Sequence, residues 1–167
     1  MKCVLSATFE AQTRVMRVVA YSIKSTEKEA LAIANHKKHE ITLISNSLSL
    51  ETVSFAEGKE AVIVFTSDSV SADVMNKLAD LGVKYIATRS NDVSHIDAVV
   101  AGLRNIKIAN VPQLKIAGLK EADLPLALAT ETIYNLDKWQ SKRCLGDACV
   151  CAKACRAIDA SKGGHEH

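Results

Sequence analysis

Ala61-Val62-Ile63-Val64-Phe65 is the stretch whose reading decides the fold. It is apolar at every position, whereas a strand with one wet face would alternate. A run of this kind belongs to a central strand of a parallel sheet, covered on both sides. Four further β-branched runs flank it, at 17–23, 40–44, 83–87 and 106–109. The intervals between them leave room for helices. Thr26 stands three residues before Glu29, a capping-box spacing that predicts a helix to about Lys37. Ser71 caps a second helix with Val74, Leu78 and Leu81 on one face, and Gly82 stops it. Ser94 and Asp97 form another capping box, with Ile96, Val99, Val100 and Leu103 pointing inward. Strand and helix thus alternate through five strands, which implies right-handed crossovers and a doubly wound α/β fold. Periodicity does not fix the strand order.

Composition narrows the function. The 167 residues suit one domain, and 48% hydrophobic content is enough to build a core. A net charge of +2 without a basic stripe, and 4% aromatics, argue against nucleic acid as a partner. No apolar run reaches membrane-spanning length, and residues 1–15 lack the apolar stretch of a secretion signal. The expected location is the cytoplasm, where thiols stay reduced.

Residues 1–15 show no periodicity that fits the fold and read as an N-terminal arm, with Met16 as a candidate functional start. Residues 16–112 form the domain, and 113–142 read as a connection followed by a docking helix. That helix starts at Asp123 with Pro125, runs to about Gln140, and presents Leu126, Ala129, Ile133 and Leu136 to the domain. Residues 143–167 form a Cys-rich tail with a polar, disordered end.

The tail holds Cys144, Cys149, Cys151 and Cys155, while the rest of the chain has only Cys3. The spacing Cys-x4-Cys-x-Cys-x3-Cys matches neither paired zinc knuckles nor the usual ferredoxin run. The thiolates could close around zinc or an iron–sulfur cluster, favoured by Lys142, Arg143, Lys153 and Arg156 nearby. The bland alternative is free thiols on a frayed tail.

A family resemblance enters with particular stretches. They are Met16-Arg-Val-Val-Ala-Tyr-Ser-Ile-Lys, His39-Glu-Ile-Thr-Leu-Ile, Glu57-Gly-Lys-Glu-Ala-Val-Ile-Val-Phe, Leu81-Gly-Val-Lys-Tyr-Ile-Ala-Thr-Arg-Ser, His95-Ile-Asp and Asn110-Val-Pro. In order and spacing they resemble the substrate-binding domain of the D-isomer-specific 2-hydroxyacid dehydrogenases, the D-lactate dehydrogenase branch especially. The resemblance implies a flavodoxin-like, three-layer domain with a five-stranded parallel sheet in the order 2-1-3-4-5. It also implies an oxidoreductase class that uses NAD. The family's Gly-x-Gly-x-x-Gly occurs nowhere among the seven glycines, and its catalytic Arg, Glu and His cannot be carried over to any residue here.

In the family the turn after the fourth strand reads Arg-x-x-Gly-x-Asp and holds the substrate carboxylate through backbone N–H groups. Here it reads Arg89-Ser90-Asn91-Asp92-Val93-Ser94. Asp92 brings a Cβ and a negative charge to the place of the glycine, which opposes a 2-hydroxy or 2-oxo acid. Arg89, Ser90, Asn91 and Asp92, with Ser67 and Asp68, are therefore the candidate crevice residues. The alternative is a plain turn in which Arg89 pairs with a carboxylate and Ser67 and Asp68 serve as turn and capping residues. His95 reads as an exposed histidine in a first helical turn, His36 and His39 as part of a solvated helix end, and His165 and His167 as flexible tail. Three functions follow as expectations. The first is a truncated dehydrogenase-like protein without turnover of its own, binding no cofactor alone. The second is a module that senses a small anion or pairs with a second copy or a separate Rossmann-bearing chain. The third is a metal or thiol-redox protein built on the cysteines.

Overall fold

The computed structural model describes residues 15–150. The expectations for the 1–15 arm, except its last residue, and those for Cys151, Cys155, His165 and His167 fall outside that span. Five strands form one parallel sheet in the order β2-β1-β3-β4-β5, as the resemblance implies. They are β1 Arg17–Ala20, β2 Glu40–Leu43, β3 Ala61–Val64, β4 Tyr85–Thr88 and β5 Lys107–Ala109. All of β3 is buried, as its unbroken apolar run requires.

Alternation along each strand feeds two cores. Val18, Ala20, Ala61, Ile63, Ala87 and Ala109 point to one face, where helices α1 (Ser25–Asn35) and α5 (Leu124–Gln140) cover them. Val19, Val62, Val64, Ile86 and Ile108 point to the other, under α2 (Ala72–Asp80), α3 (Ala98–Leu103) and the 3-10 turn Val53–Ala56.

Helix ends differ from the sequence reading in instructive ways. The cap of α1 is Lys24, not Thr26, because the Glu27 carboxylate accepts the Lys24 N–H at 2.8 Å. The helix stops at Asn35, whose side chain exchanges two hydrogen bonds with the backbone of His39. His36 and Lys37 then turn left-handed, with φ of 47° and 59°. The α2 prediction holds: the Ser71 hydroxyl accepts the Val74 N–H, and Gly82 takes φ of 94°. In α3 the capping box is absent. Asp97 is itself the cap, accepting from Val100 N–H at 3.1 Å, and the helix has only six residues. Of the four residues expected inward, Ile96 is buried and Val100 packs on the core, whereas Val99 and Leu103 are 75% and 76% exposed.

The 113–122 connection contains a single helical turn, α4 (Gln113–Ile116), and a 3-10 turn, Glu121–Asp123. The long helix follows as expected, but Leu126 lies outside its buried stripe. The stripe is Ala129, Thr132, Ile133, Leu136 and Trp139, at the three- and four-residue spacing of one helix face. Trp139 stacks on Tyr85 at 4.8 Å. His39, expected in solvent, has a fully buried side chain that meets Asp137 of α5 at 2.7 Å.

The stretch after α5 is also paired rather than frayed as far as Val150. Asn110 N–H donates to Ala148 O at 2.9 Å and Val150 N–H donates to Ile108 O at 3.1 Å. Cys149 lies opposite Ala109 in an antiparallel bridge, so this strap covers the edge of β5.

Candidate functional site

The carboxyl ends of the strands converge on one crevice, and Asp68 is its knot. Fully buried, its Oδ1 accepts from the Ser22 hydroxyl at 2.6 Å and from Leu48 N–H at 2.8 Å. Its Oδ2 accepts from Phe65 N–H at 2.7 Å. One carboxylate thus ties the turns after β1, β2 and β3, which answers the capping alternative for Asp68 and leaves Ser67 exposed at the rim. Ser22 pays a conformational cost, at φ of 55°, that these bonds hold in place. Tyr21, beside it, donates its hydroxyl to Thr52 O, and burial with the Asp68 charge pushes its phenol up to about 12.

Arg89 is 4% exposed and faces inward. Its Nη1 pairs with Glu27 Oε1 at 2.9 Å, while Nη2 donates to Tyr21 O and Ser22 O at 3.3 and 3.2 Å. The guanidinium carbon lies 4.8 Å from the centre of the Phe65 ring. Pairing with a carboxylate is the second of the two expected roles for Arg89. Glu27 and Phe65 were not among the candidates, since only the fold brings their three chain segments together.

The rest of the turn is built differently. Ser90 Oγ donates to Asp92 O at 2.9 Å, and Val111 N–H donates to Ser90 O. Asn91 Nδ2 donates to Val111 O at 3.2 Å, and Asn110 Nδ2 to Asn91 O at 2.9 Å. The turn is therefore braced against the segment after β5. Among the described residues, no acceptor meets the backbone N–H groups of Ser90, Asn91 and Asp92. Asp92 is exposed and accepts from both Ser94 N–H and Ser94 Oγ, which hold its carboxyl below the usual carboxylate range. Its charge therefore persists at the mouth of the turn.

His95 lies before α3 rather than on it and is only partly exposed. Both ring nitrogens are enclosed without a partner among the described residues, and desolvation lowers its pKa against the opposing charges of Asp92 and Asp68.

Two cavities flank the turn. Arg89 lines one of about 220 Å³ between α1 and the first turns of α5. Asn91 lines a second, of about 490 Å³, bounded by α4, α5 and the strap. Cys144 is exposed and Cys149 half-buried on the strap, and both are free thiols among the described residues. Among the described residues no group of three His, Cys, Asp or Glu side chains could hold a metal ion, so zinc or an iron–sulfur cluster finds no support there. No helix among them is long and apolar enough to cross a membrane.

Comparison with known proteins adds an independent line. The family model "D-isomer specific 2-hydroxyacid dehydrogenase, catalytic domain" matches residues 17–117. A 2-hydroxyacid dehydrogenase homolog of Zymomonas mobilis is 34% identical over 98 residues, covering 58% of this chain and 30% of that protein. The D-lactate dehydrogenase of Lactiplantibacillus plantarum is 29% identical over 125 residues, covering 72% of this chain and 38% of that one. The apo-structure of D-lactate dehydrogenase from Escherichia coli superposes with a TM-score of 0.56 at 32% identity, over 57% of this chain and 31% of the other. The chain spans about a third of the length of the curated relatives it matches.

Proposed function

This chain belongs to the D-isomer-specific 2-hydroxyacid dehydrogenase family, and we propose that it supplies the substrate side of such an enzyme's cleft, with residues 16–112 as the substrate domain. The observation that carries this reading is the run of N–H groups at Ser90, Asn91 and Asp92 that meet no acceptor among the described residues. Successive free N–H groups at the carboxyl edge of a doubly wound sheet suit a carboxylate. Arg89 and Asp68 hold the surrounding loops and do not touch the acid, while Ser67 stands at the rim. The Asp92 charge beside the N–H groups makes unaided binding of a 2-hydroxy or 2-oxo acid weak.

Hydride transfer in the family needs a nicotinamide dinucleotide, and these residues do not fit one. The turn after β1 has Ser22 and the buried Asp68 carboxylate where a pyrophosphate would require glycines and free N–H groups. No hydride step is therefore assigned to this chain. Turnover requires a Rossmann domain brought to the crevice, whether from a separate chain or otherwise. Leu114, 85% exposed on α4 next to the turn, is an apolar contact such a domain could cover.

Purified protein at stoichiometric levels, mixed with NADH and pyruvate, should leave NADH unconsumed; clear consumption would sink the proposal. Asp92→Gly should tighten pyruvate binding by about fivefold or more, the effect of removing a repulsion of about 1 kcal/mol or more. If titration followed by amide NMR shows no shift at Ser90–Asp92 even in that variant, the acid does not bind at this turn.

A further inference from the structure

The cavity on the α1–α5 side of the turn lies apart from the free N–H groups and has a chemistry of its own. Its walls are apolar: Ile23, Leu31, Phe65, Leu124, Pro125 and Leu128. Its polar groups are Arg89, Glu27 and Glu121. The Arg89 charge is already met by Glu27 at 2.9 Å, and Glu121 adds a further negative charge. An anion entering here would meet two carboxylates and one committed cation, so the lining disfavours acids. Yet Arg89, 4% exposed, keeps one hydrogen-bonding group unspent: its Nε–H is enclosed and has no acceptor among the described residues. Buried donors are almost always satisfied, and an orphan of this kind marks where an acceptor belongs.

We propose that this cavity is a binding site for a small neutral molecule with an apolar body and one carbonyl-type oxygen, which accepts from Arg89 Nε–H. At roughly 30 Å³ per displaced water, a cavity of about 220 Å³ takes a ligand of one ring or one branched chain. Phe65, half-buried and lying over the guanidinium, is the side chain that turns aside to admit the oxygen. The site does not depend on the acid-binding reading, and neither Ser90, Asn91 nor Asp92 lines it.

An isosteric series separates these elements. Acetophenone, ethylbenzene, phenylacetate and phenethylamine share a ring and differ in head group: neutral acceptor, none, anion and cation. Each is titrated into the full chain and followed by amide and side-chain NMR. Acetophenone should give saturable shifts at Ile23, Phe65, Arg89 and Leu128. Ethylbenzene should bind about tenfold more weakly, for want of one hydrogen bond, and both charged analogues should also bind more weakly. Leu128→Trp, which fills the half-exposed mouth, should abolish the shifts, whereas Leu126→Trp, outside the lining, should leave them unchanged. Absence of saturable acetophenone shifts overturns the site. Equal binding of ethylbenzene overturns the role of Arg89, and tighter binding of either charged analogue overturns the neutral ligand class.

Discussion

The two faces of the sheet reach the same degree of burial by different routes. On one, α2, α3 and the 3-10 turn all lie between strands that they connect, within residues 17–117 of the family match. Each element there is fixed by its neighbours in sequence. On the other face α1 supplies the smaller part of the cover, while α5 and the strap return from beyond residue 117 to supply the rest. Local crossover geometry specifies the first face. Long-range docking specifies the second, with His39–Asp137, Tyr85–Trp139 and the Cys149–Ala109 bridge as its clasps. The crevice lies where the two meet: Asp68 knots the loops, and Arg89 reaches across to Glu27 on α1.

The contrast can be broken by truncating each face. Leu78 and Leu136 are both fully buried, one on each side. Leu78→Ala and Leu136→Ala should each lower stability by about 3 kcal/mol in urea unfolding, the usual cost of such cavities. If Leu136→Ala costs less than about 1 kcal/mol, α5 is an accessory and the second face is not a true core.

A smaller effect tests the clasp. Asp137→Ala leaves the buried His39 imidazole without its partner and should cost about 1–3 kcal/mol. Lys38 also contacts Asp137, at 2.9 Å, but its side chain is 49% exposed, so Lys38→Ala should cost less than about 0.5 kcal/mol. Equal losses would mean that the surface ion pair, and not the buried contact, holds α5.

The subtlest test is alkaline titration of the first face, where Tyr21 is buried. Its phenol is raised from 10.0 to about 12, so the fold favours the protonated form. The stability it contributes is fully present below pH 10 and is lost as pH rises toward about 12. Tyr21→Phe should flatten that alkaline decline; an unchanged decline would assign it to other groups.

The central strand was legible because burial on both faces leaves an unmistakable apolar run, as in β3; β2, largely exposed, was legible only from its β-branched residues. Helix termini were less so. Lys24 caps α1 through a carboxylate three residues on, a role that residue type does not announce, and α3 starts three residues late, leaving Val99 and Leu103 outside while Ile96 and Val100 stay inward. At the crevice, Arg89 and Asp68 could be singled out from their places after strands. Glu27, Ser22 and Phe65 could not, because nothing local distinguishes them from other turn and helix residues. His39 was misjudged for the same reason: its neighbours in sequence are charged, but its neighbour in space is Asp137.

The sequence by itself determined the elements whose signal is local: five parallel strands, the helices between them, and a polar turn after β4. Their hydrophobic periodicity and turn chemistry operate over a few residues and can be read there. Only the tertiary structure decided that α5 and the strap close the second face, that Asp68 ties three loops, and that Arg89 turns inward to Glu27 while the neighbouring N–H groups stay free. Those arrangements depend on which desolvated charges and donors find partners across 20 to 98 residues of chain, a pairing that no short window of sequence contains.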